Sequence, residues 1–291
     1  MADRVLGIIG GSGLYELPGI RDVTAIRVTT PFGAPSDELM RGRLGDVEVV
    51  FLPRHGRGHR ILPSEIPFRA NIFALKELGA EWLLSTGAVG SLRQPLEPGH
   101  VVLPDQFIDR TVARPSTFFG DGIVVHVSLA DPVCATLADA VEAATRAAGG
   151  TVHRGGTYLC MEGPQFSTRA ESHLYRQWNA AIIGMTNWQE AKLAREAELC
   201  FASLALVTDY DCWNTAHDHV VIEDVLRTLA ANADLARRAV AGVAERLPAT
   251  RTCACASALR GAIITDPSRI PPERQRALAP LIGKYIGNDS E

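Results

Sequence analysis

The sequence predicts an α/β fold: a single domain with a mixed central β-sheet flanked by helices and a C-terminal helical extension. Two observations carry this expectation. Short apolar, β-branched runs alternate along the chain with longer stretches at helical spacing, an order that places helices on both faces of a sheet. A chain of 291 residues, 46% hydrophobic and 21% charged, can bury a sizeable core and has neither a disordered nor a collagen-like composition.

The first strand is expected over residues 5–9, which run into Gly10-Gly11-Ser12-Gly13, a tight turn. Similar runs predict strands at 47–52, 82–85, 101–103, 181–183 and 204–208. Phe68, Ile72, Leu75 and Leu78 fall on one helical face, and Gly79 ends that helix. Residues 135–148 are Ala-rich and followed by Gly149-Gly150; residues 191–199 are good helix formers; residues 222–247 form the longest helix, closed by Pro248. The Pro/Gly-dense segments 31–35, 53–67 and 114–122 lie between strands and read as active-site or interface loops. Residues 252–291, broken by Pro267 and Pro271-Pro272, read as a helical extension that packs on the domain or on a neighbouring subunit.

Composition also excludes classes of function. With Lys+Arg 29 against Asp+Glu 33 the net charge is -4, and no basic block is present, so neither nucleic acid nor an anionic membrane is an expected partner. No apolar run approaches the ~18 residues of a membrane span, and residues 5–9 are too short for a signal peptide, so a cytoplasmic location is expected. The cysteines at 134, 160, 200, 212, 253 and 255 are scattered, without a Cys-x-x-Cys pair, and are expected to be reduced. No metal centre or cofactor is expected, although Cys253-Ala254-Cys255 is left open as a pair able to oxidise or to bind a soft metal.

Three constellations carry chemistry. The Gly10–Gly13 turn lacks the third glycine of a dinucleotide fingerprint, Glu16 standing in its place, but its amides and Ser12 can form an anion nest or a plain turn. Pro53-Arg54-His55-Gly56-Arg57-Gly58-His59 places Arg54 and His55 on a loop after a strand, where they suit an oxyanion; the two glycines argue against a helical metal-binding His pair. Thr208-Asp209-Tyr210-Asp211 follows an apolar run, and continued strand geometry would turn Asp209 and Asp211 to one face. Two such carboxylates beside an apolar strand should have at least one pKa raised, giving a proton donor near neutral pH. Phe166, on a loop before a helix that Ser167 or Thr168 can cap, is either core or a ring for stacking.

Together with Arg69-Ala70-Asn71-Ile72, Ala88-Val89-Gly90-Ser91-Leu92, residues 105–111, 161–172, Gly184-Met185-Thr186, 190–198 and 208–213, these stretches resemble the methylthioadenosine phosphorylase branch of the purine nucleoside phosphorylase family. The resemblance implies the nucleoside phosphorylase fold and attack of inorganic phosphate, a co-substrate, on the anomeric carbon of a 5'-alkylthio adenosine, with adenine leaving. It implies that Ser12, Arg54, His55, Thr86, Gly87 and Thr186 hold phosphate, and that Ala88, Phe166 and Met185 meet the nucleoside. It assigns Asp209 as the general acid to the purine and Asp211 as acceptor from the exocyclic amine. It also implies an apolar 5' pocket from Ile222, Val225 and Leu226, with His126 from a neighbouring subunit, in a homotrimer or a dimer of trimers. The resemblance gives the Cys253-x-Cys255 pair no catalytic role, though some heat-stable relatives use such cysteines as disulfides.

The chain departs from the pattern at Gly87, where relatives carry Thr, Ser or Asn, and at Asn187-Trp188-Gln189, where they carry an apolar residue and Pro before Glu190. The alternatives are a phosphorylase for 6-oxopurine nucleosides or methylthioinosine, a water-using nucleosidase and a non-catalytic nucleoside-binding module. A carboxylate accepts from an amine and repels a carbonyl, so the Asp209-Asp211 pair favours adenine.

Overall fold

The computed structural model describes residues 4–11, 17–214 and 222–286, apart from the side chain of residue 224. In chain order the elements are β1 (Arg4–Gly10), β2 (Arg21–Ile26), β3 (Leu39–Leu44), β4 (Val47–Pro53), α1 (Phe68–Glu77), β5 (Trp82–Ser91), β6 (Val101–Leu103), β7 (Gln106–Arg110), α2 (Ala135–Ala147), β8 (Val152–Arg154), β9 (Thr157–Met161), α3 (Arg169–Gln177), β10 (Ala180–Gly184), α4 (Asn187–Glu196), β11 (Cys200–Asp209), α5 (Ile222–Ala244), α6 (Pro272–Ala277) and α7 (Ala279–Ile286).

The strands form one mixed sheet that branches at β5. Residues 82–85 of β5 pair in parallel with β1, while Gly90 and Ser91 pair antiparallel with β10, and β11 runs parallel to β5 from Cys200 to Asp209. The C-terminal ends of β1, β4, β5 and β11 therefore point the same way, and β4, β1, β5 and β11 are consecutive neighbours. This is the edge where ligands bind in open α/β sheets.

The near-continuous apolar runs follow from burial on both faces. Alternate residues of one strand enter different cores: Leu6, Ile8, Trp82, Leu84, Ala202 and Leu204 pack under α2 and α5, whereas Val5, Ile9, Leu83 and Phe201 pack under α1 and α4. Leu259, Ile270, Leu278, Leu281 and Ile282 belong to this second core, so the C-terminal extension packs on its own domain. Among the described residues no helix is long and apolar enough to cross a membrane.

Candidate active site

Asp209 closes β11, and Asp211 stands two residues later in a short 3₁₀ turn, Asp211–Trp213, with φ +50. The expectation that strand alternation unites them is corrected: the ladder shifts register between Val207 and Asp209, the strand ends, and the turn folds back. Turn geometry, not strand alternation, brings the pair together, with the Asp211 amide donating to Asp209 Oδ1 at 2.8 Å. The Thr208 hydroxyl donates to Asp209 Oδ2 at 2.8 Å. Trp213 Nε1 donates to the Ser91 carbonyl at 2.7 Å, pinning the turn to the end of β5.

Asp211 is buried and Asp209 half-buried, and desolvation is the leading cause that pushes both pKa values up. For Asp209 the bonds from Thr208 and the Asp211 amide oppose the rise. Asp211 reaches about 6, with the Asp209 charge adding a smaller push. Asp211 Oδ2 and the Ser172 hydroxyl are both buried outside strict hydrogen-bond geometry among the described residues, and Ser172, with the Cys212 amide, opposes the rise of the Asp211 pKa. Gly90 makes room for this pair: a Cβ there would stand 3.0 Å from Asp209 Oδ1.

Arg54, at the end of β4, is only 3% exposed. Its Nε donates to Glu190 Oε1 at 2.7 Å and its Nη2 to Glu190 Oε2 at 3.0 Å. Nη2 also donates to Ser85 Oγ at 2.8 Å, and Nη1 to the Thr86 carbonyl at 2.6 Å. The fork expected to face an anion is therefore held by Glu190, and a single Nη1 hydrogen remains for a ligand. That hydrogen lies toward Gly87, where an added Cβ would stand 3.4 Å from Nη1. His55 Nδ1 lies 2.8 Å from the Ile61 carbonyl, which assigns the proton to Nδ1 and a lone pair to Nε2. Burial, followed by the Arg54 charge, pushes His55 down to about 4, so its ring is neutral at pH 7 and Nε2 accepts instead of donating.

Glu190, Ser85 and Asn187 complete this group. Ser85 Oγ donates to Glu190 Oε2 at 2.5 Å and receives Asn187 Nδ2 at 2.7 Å. Asn187 thus anchors the first turn of α4 in the sequence that lacks the family's Pro. Thr186 is the N-cap of α4, but its side chain makes no capping bond, leaving its half-buried hydroxyl at the positive end of the helix. The indole of Trp188 stacks on Phe107 with centroids 5.1 Å apart.

Arg114 was not foreseen. It is 9% exposed and donates from Nε to Glu162 Oε1 at 3.1 Å, from Nη1 to the Met185 carbonyl and to Gln189 Oε1, and from Nη2 to the Glu162 carbonyl. One guanidinium thus ties loop 162–168 to the end of β10 and the start of α4. Gly184 admits Tyr158, whose hydroxyl would lie 1.9 Å from an added Cβ. Phe166, at 44% exposure, is not core. Its loop neighbours the acid turn, since Cys212 Sγ donates to the Ser167 carbonyl at 3.2 Å. Thr168 caps α3 in a capping box with Glu171.

Thr86, Gly87 and Ala88 lie on β5 between Arg54 and the acid pair. On α5, Val225 is buried, whereas Ile222 and Leu226 are exposed one turn apart, an apolar strip open to solvent in this chain. His126 lies apart from the cluster, exposed, with its amide donating to the Ala262 carbonyl at 2.9 Å. Ser12 falls outside the described residues.

A family model described as the phosphorylase superfamily matches residues 5–245. The chain belongs to the phosphorylase superfamily. Within it the chain is 55% identical over 285 residues to an S-methyl-5'-thioadenosine phosphorylase of Geobacter sulfurreducens, covering 98% of this chain and 100% of that one. A protein of the same description from Koribacter versatilis is 55% identical over 97% of both chains. Among solved structures, a methylthioadenosine phosphorylase from an antarctic soil metagenomic library superposes with a TM-score of 0.91 at 47% identity, covering 97% of this chain and 99% of that one. A Schistosoma mansoni adenosine/methylthioadenosine phosphorylase variant in complex with methylthioadenosine gives a TM-score of 0.80 at 37% identity, over 89% and 97% of the two chains. The branch that the motifs resemble is thus the one these relatives carry in their names.

Proposed function

We propose that this chain cleaves 5'-methylthioadenosine with inorganic phosphate, releasing adenine and 5-methylthioribose 1-phosphate. The observation that carries the reading is the acid pair, in which half-buried Asp209 is held by Thr208 and the Asp211 amide and buried Asp211 has its pKa raised to about 6. Asp209, raised by burial, delivers a proton to the five-membered ring of the departing base. Asp211 accepts from the exocyclic amine, a bond adenine offers and a 6-oxopurine does not.

Phosphate sits at the α4 N-terminus, on the Thr186 hydroxyl, the remaining Arg54 hydrogen and the backbone around Thr86 and Gly87, with Ser12 closing over it. His55 Nε2 accepts a hydrogen bond from the hydroxyl of a monohydrogen phosphate. An anion on one face and a proton on the leaving base stabilise an oxocarbenium-like transition state from both ends. Phe166 stacks on the purine and Met185 lies under the ribose. Ile222, Val225 and Leu226 receive the alkylthio group, and His126 of a neighbouring protomer reaches that pocket in a homotrimer. The enzyme works in the cytoplasm, without a cofactor.

The test of the base assignment compares adenine release from adenosine with hypoxanthine release from inosine at saturating phosphate. Adenosine is expected to react faster by two orders of magnitude or so, the scale of a misfit at a hydrogen-bonding site (~10² or more). Equal rates would remove Asp211 from base selection.

A further inference from the structure

The cysteines that look scattered in the sequence are gathered by the fold. Cys134 precedes α2, Cys200 opens β11, Cys253 caps the 3₁₀ turn Ala254–Ser257 and Cys255 lies within it. Their four sulfurs all lie within 4.8 Å of one another. Cys134 Sγ is 3.8 Å from Cys253 Sγ, which is 3.2 Å from Cys200 Sγ. Three of the four residues are buried and the fourth is half-buried. The other two cysteines, Cys160 and Cys212, lie outside this group.

We propose that Cys134, Cys200, Cys253 and Cys255 form a tetrathiolate site for a single soft divalent cation, zinc first, which fastens the C-terminal extension to the sheet. A tetrahedral zinc site with Zn–S bonds of about 2.3 Å has sulfur–sulfur edges of about 3.8 Å; contacts of 3.2 and 3.8 Å and a spread within 4.8 Å can close on such a site and leave no room for a multi-iron cluster. All-sulfur ligation selects zinc over magnesium, calcium or manganese. The backbone is already in position: the Cys134 amide donates to the Phe201 carbonyl at 2.8 Å, and the Cys200 amide to the Glu81 carbonyl at 2.9 Å. Cys134 also stands at a helix N-terminus, which favours a thiolate. Binding releases the remaining thiol protons to solvent and changes no oxidation state. The site is structural, because Cys200 and Asp209 are at opposite ends of β11, roughly 30 Å apart at 3.3 Å per residue.

The experiment uses the tag-free full chain purified under reducing conditions, with metal measured by mass spectrometry and Co²⁺ added to metal-free protein as a spectroscopic probe. The expected result is about one zinc per chain, strong thiolate-to-cobalt charge transfer with tetrahedral d–d bands, and a Tm lowered by about 5 °C or more on zinc removal. The Cys253→Ser, Cys255→Ser double variant should lose the metal, while Cys160→Ala keeps it. Reduced wild-type protein that takes up neither zinc nor cobalt would overturn the proposal. So would sulfurs found paired as disulfides that still bind no metal once reduced.

Discussion

Arg54 and Glu190 form a bidentate ion pair, 2.7 Å and 3.0 Å, at the end of the sheet where both side chains are at most 4% exposed. The pair fixes the guanidinium across Ser85 and Thr86 and joins β4, β5 and α4. Removing one charge strands the other. Glu190→Ala should therefore lower stability by about 3–5 kcal/mol, whereas Glu190→Gln keeps some hydrogen bonds and costs less. Urea unfolding of the two variants checks this ordering. An unchanged midpoint in Glu190→Ala would mean that Arg54 finds water or another partner.

Asp211 makes stability depend on pH. Its folded pKa is raised from 3.8 to about 6, so between these values the folded state binds more protons than the unfolded state. Asp211 should therefore contribute a loss of stability as pH rises from 4 toward 7, a contribution that Asp211→Asn lacks. The stability of Asp211→Asn relative to the parent is expected to rise by about 2 kcal/mol between pH 4.5 and 7.5, the larger part of the ~3 kcal/mol that the whole shift represents at 1.36 kcal/mol per unit. A difference independent of pH, measured by denaturation at pH 4.5 and 7.5, would contradict the assigned shift.

Arg114 binds groups on three segments with one planar fork. A lysine keeps the charge and loses the geometry. Arg114→Lys is expected to reduce kcat/KM for the nucleoside by about ten-fold or more, the loss of one charge-assisted hydrogen bond in effect. Steady-state kinetics with both substrates varied would show the loss on the nucleoside side, with phosphate KM little changed.

Phe166→Ala separates stacking from packing. The ring is 44% exposed, so its removal should hardly move Tm. If it stacks on the base, KM for the nucleoside rises by about ten-fold, in line with ~1–3 kcal/mol per stacked base. A large Tm drop without a KM change would return Phe166 to a core role.

The sheet was legible where both faces are buried, because strands such as β1, β4 and β11 read as unbroken apolar runs. The structure adds β2, whose residues are exposed or half-buried and which offers no apolar signal, and β9, a strand that follows Gly155-Gly156 directly. It also extends β5 through Thr86-Gly87-Ala88, where small residues hide the strand. In the site, the neighbourhood of Asp209 and Asp211 was correct while its geometric cause was not, since local motifs do not reveal a register shift. Arg54 was found but not its partner. An acid in the first turn of a helix reads as a dipole-stabilised surface residue, and only the tertiary fold shows that Glu190 is buried. The four cysteines were illegible for the same reason, because residues 134 to 255 converge only once α2, β11 and the extension are in place.

The most direct test incubates the purified chain with methylthioadenosine, with and without inorganic phosphate, and follows free adenine together with the sugar product, in the parent and in Asp209→Asn. The account predicts adenine release only with phosphate, matched mole for mole by 5-methylthioribose 1-phosphate, and slowed by about 10²- to 10⁴-fold in a well-folded Asp209→Asn. Adenine released equally without phosphate, or a near-parental rate in Asp209→Asn, would contradict it.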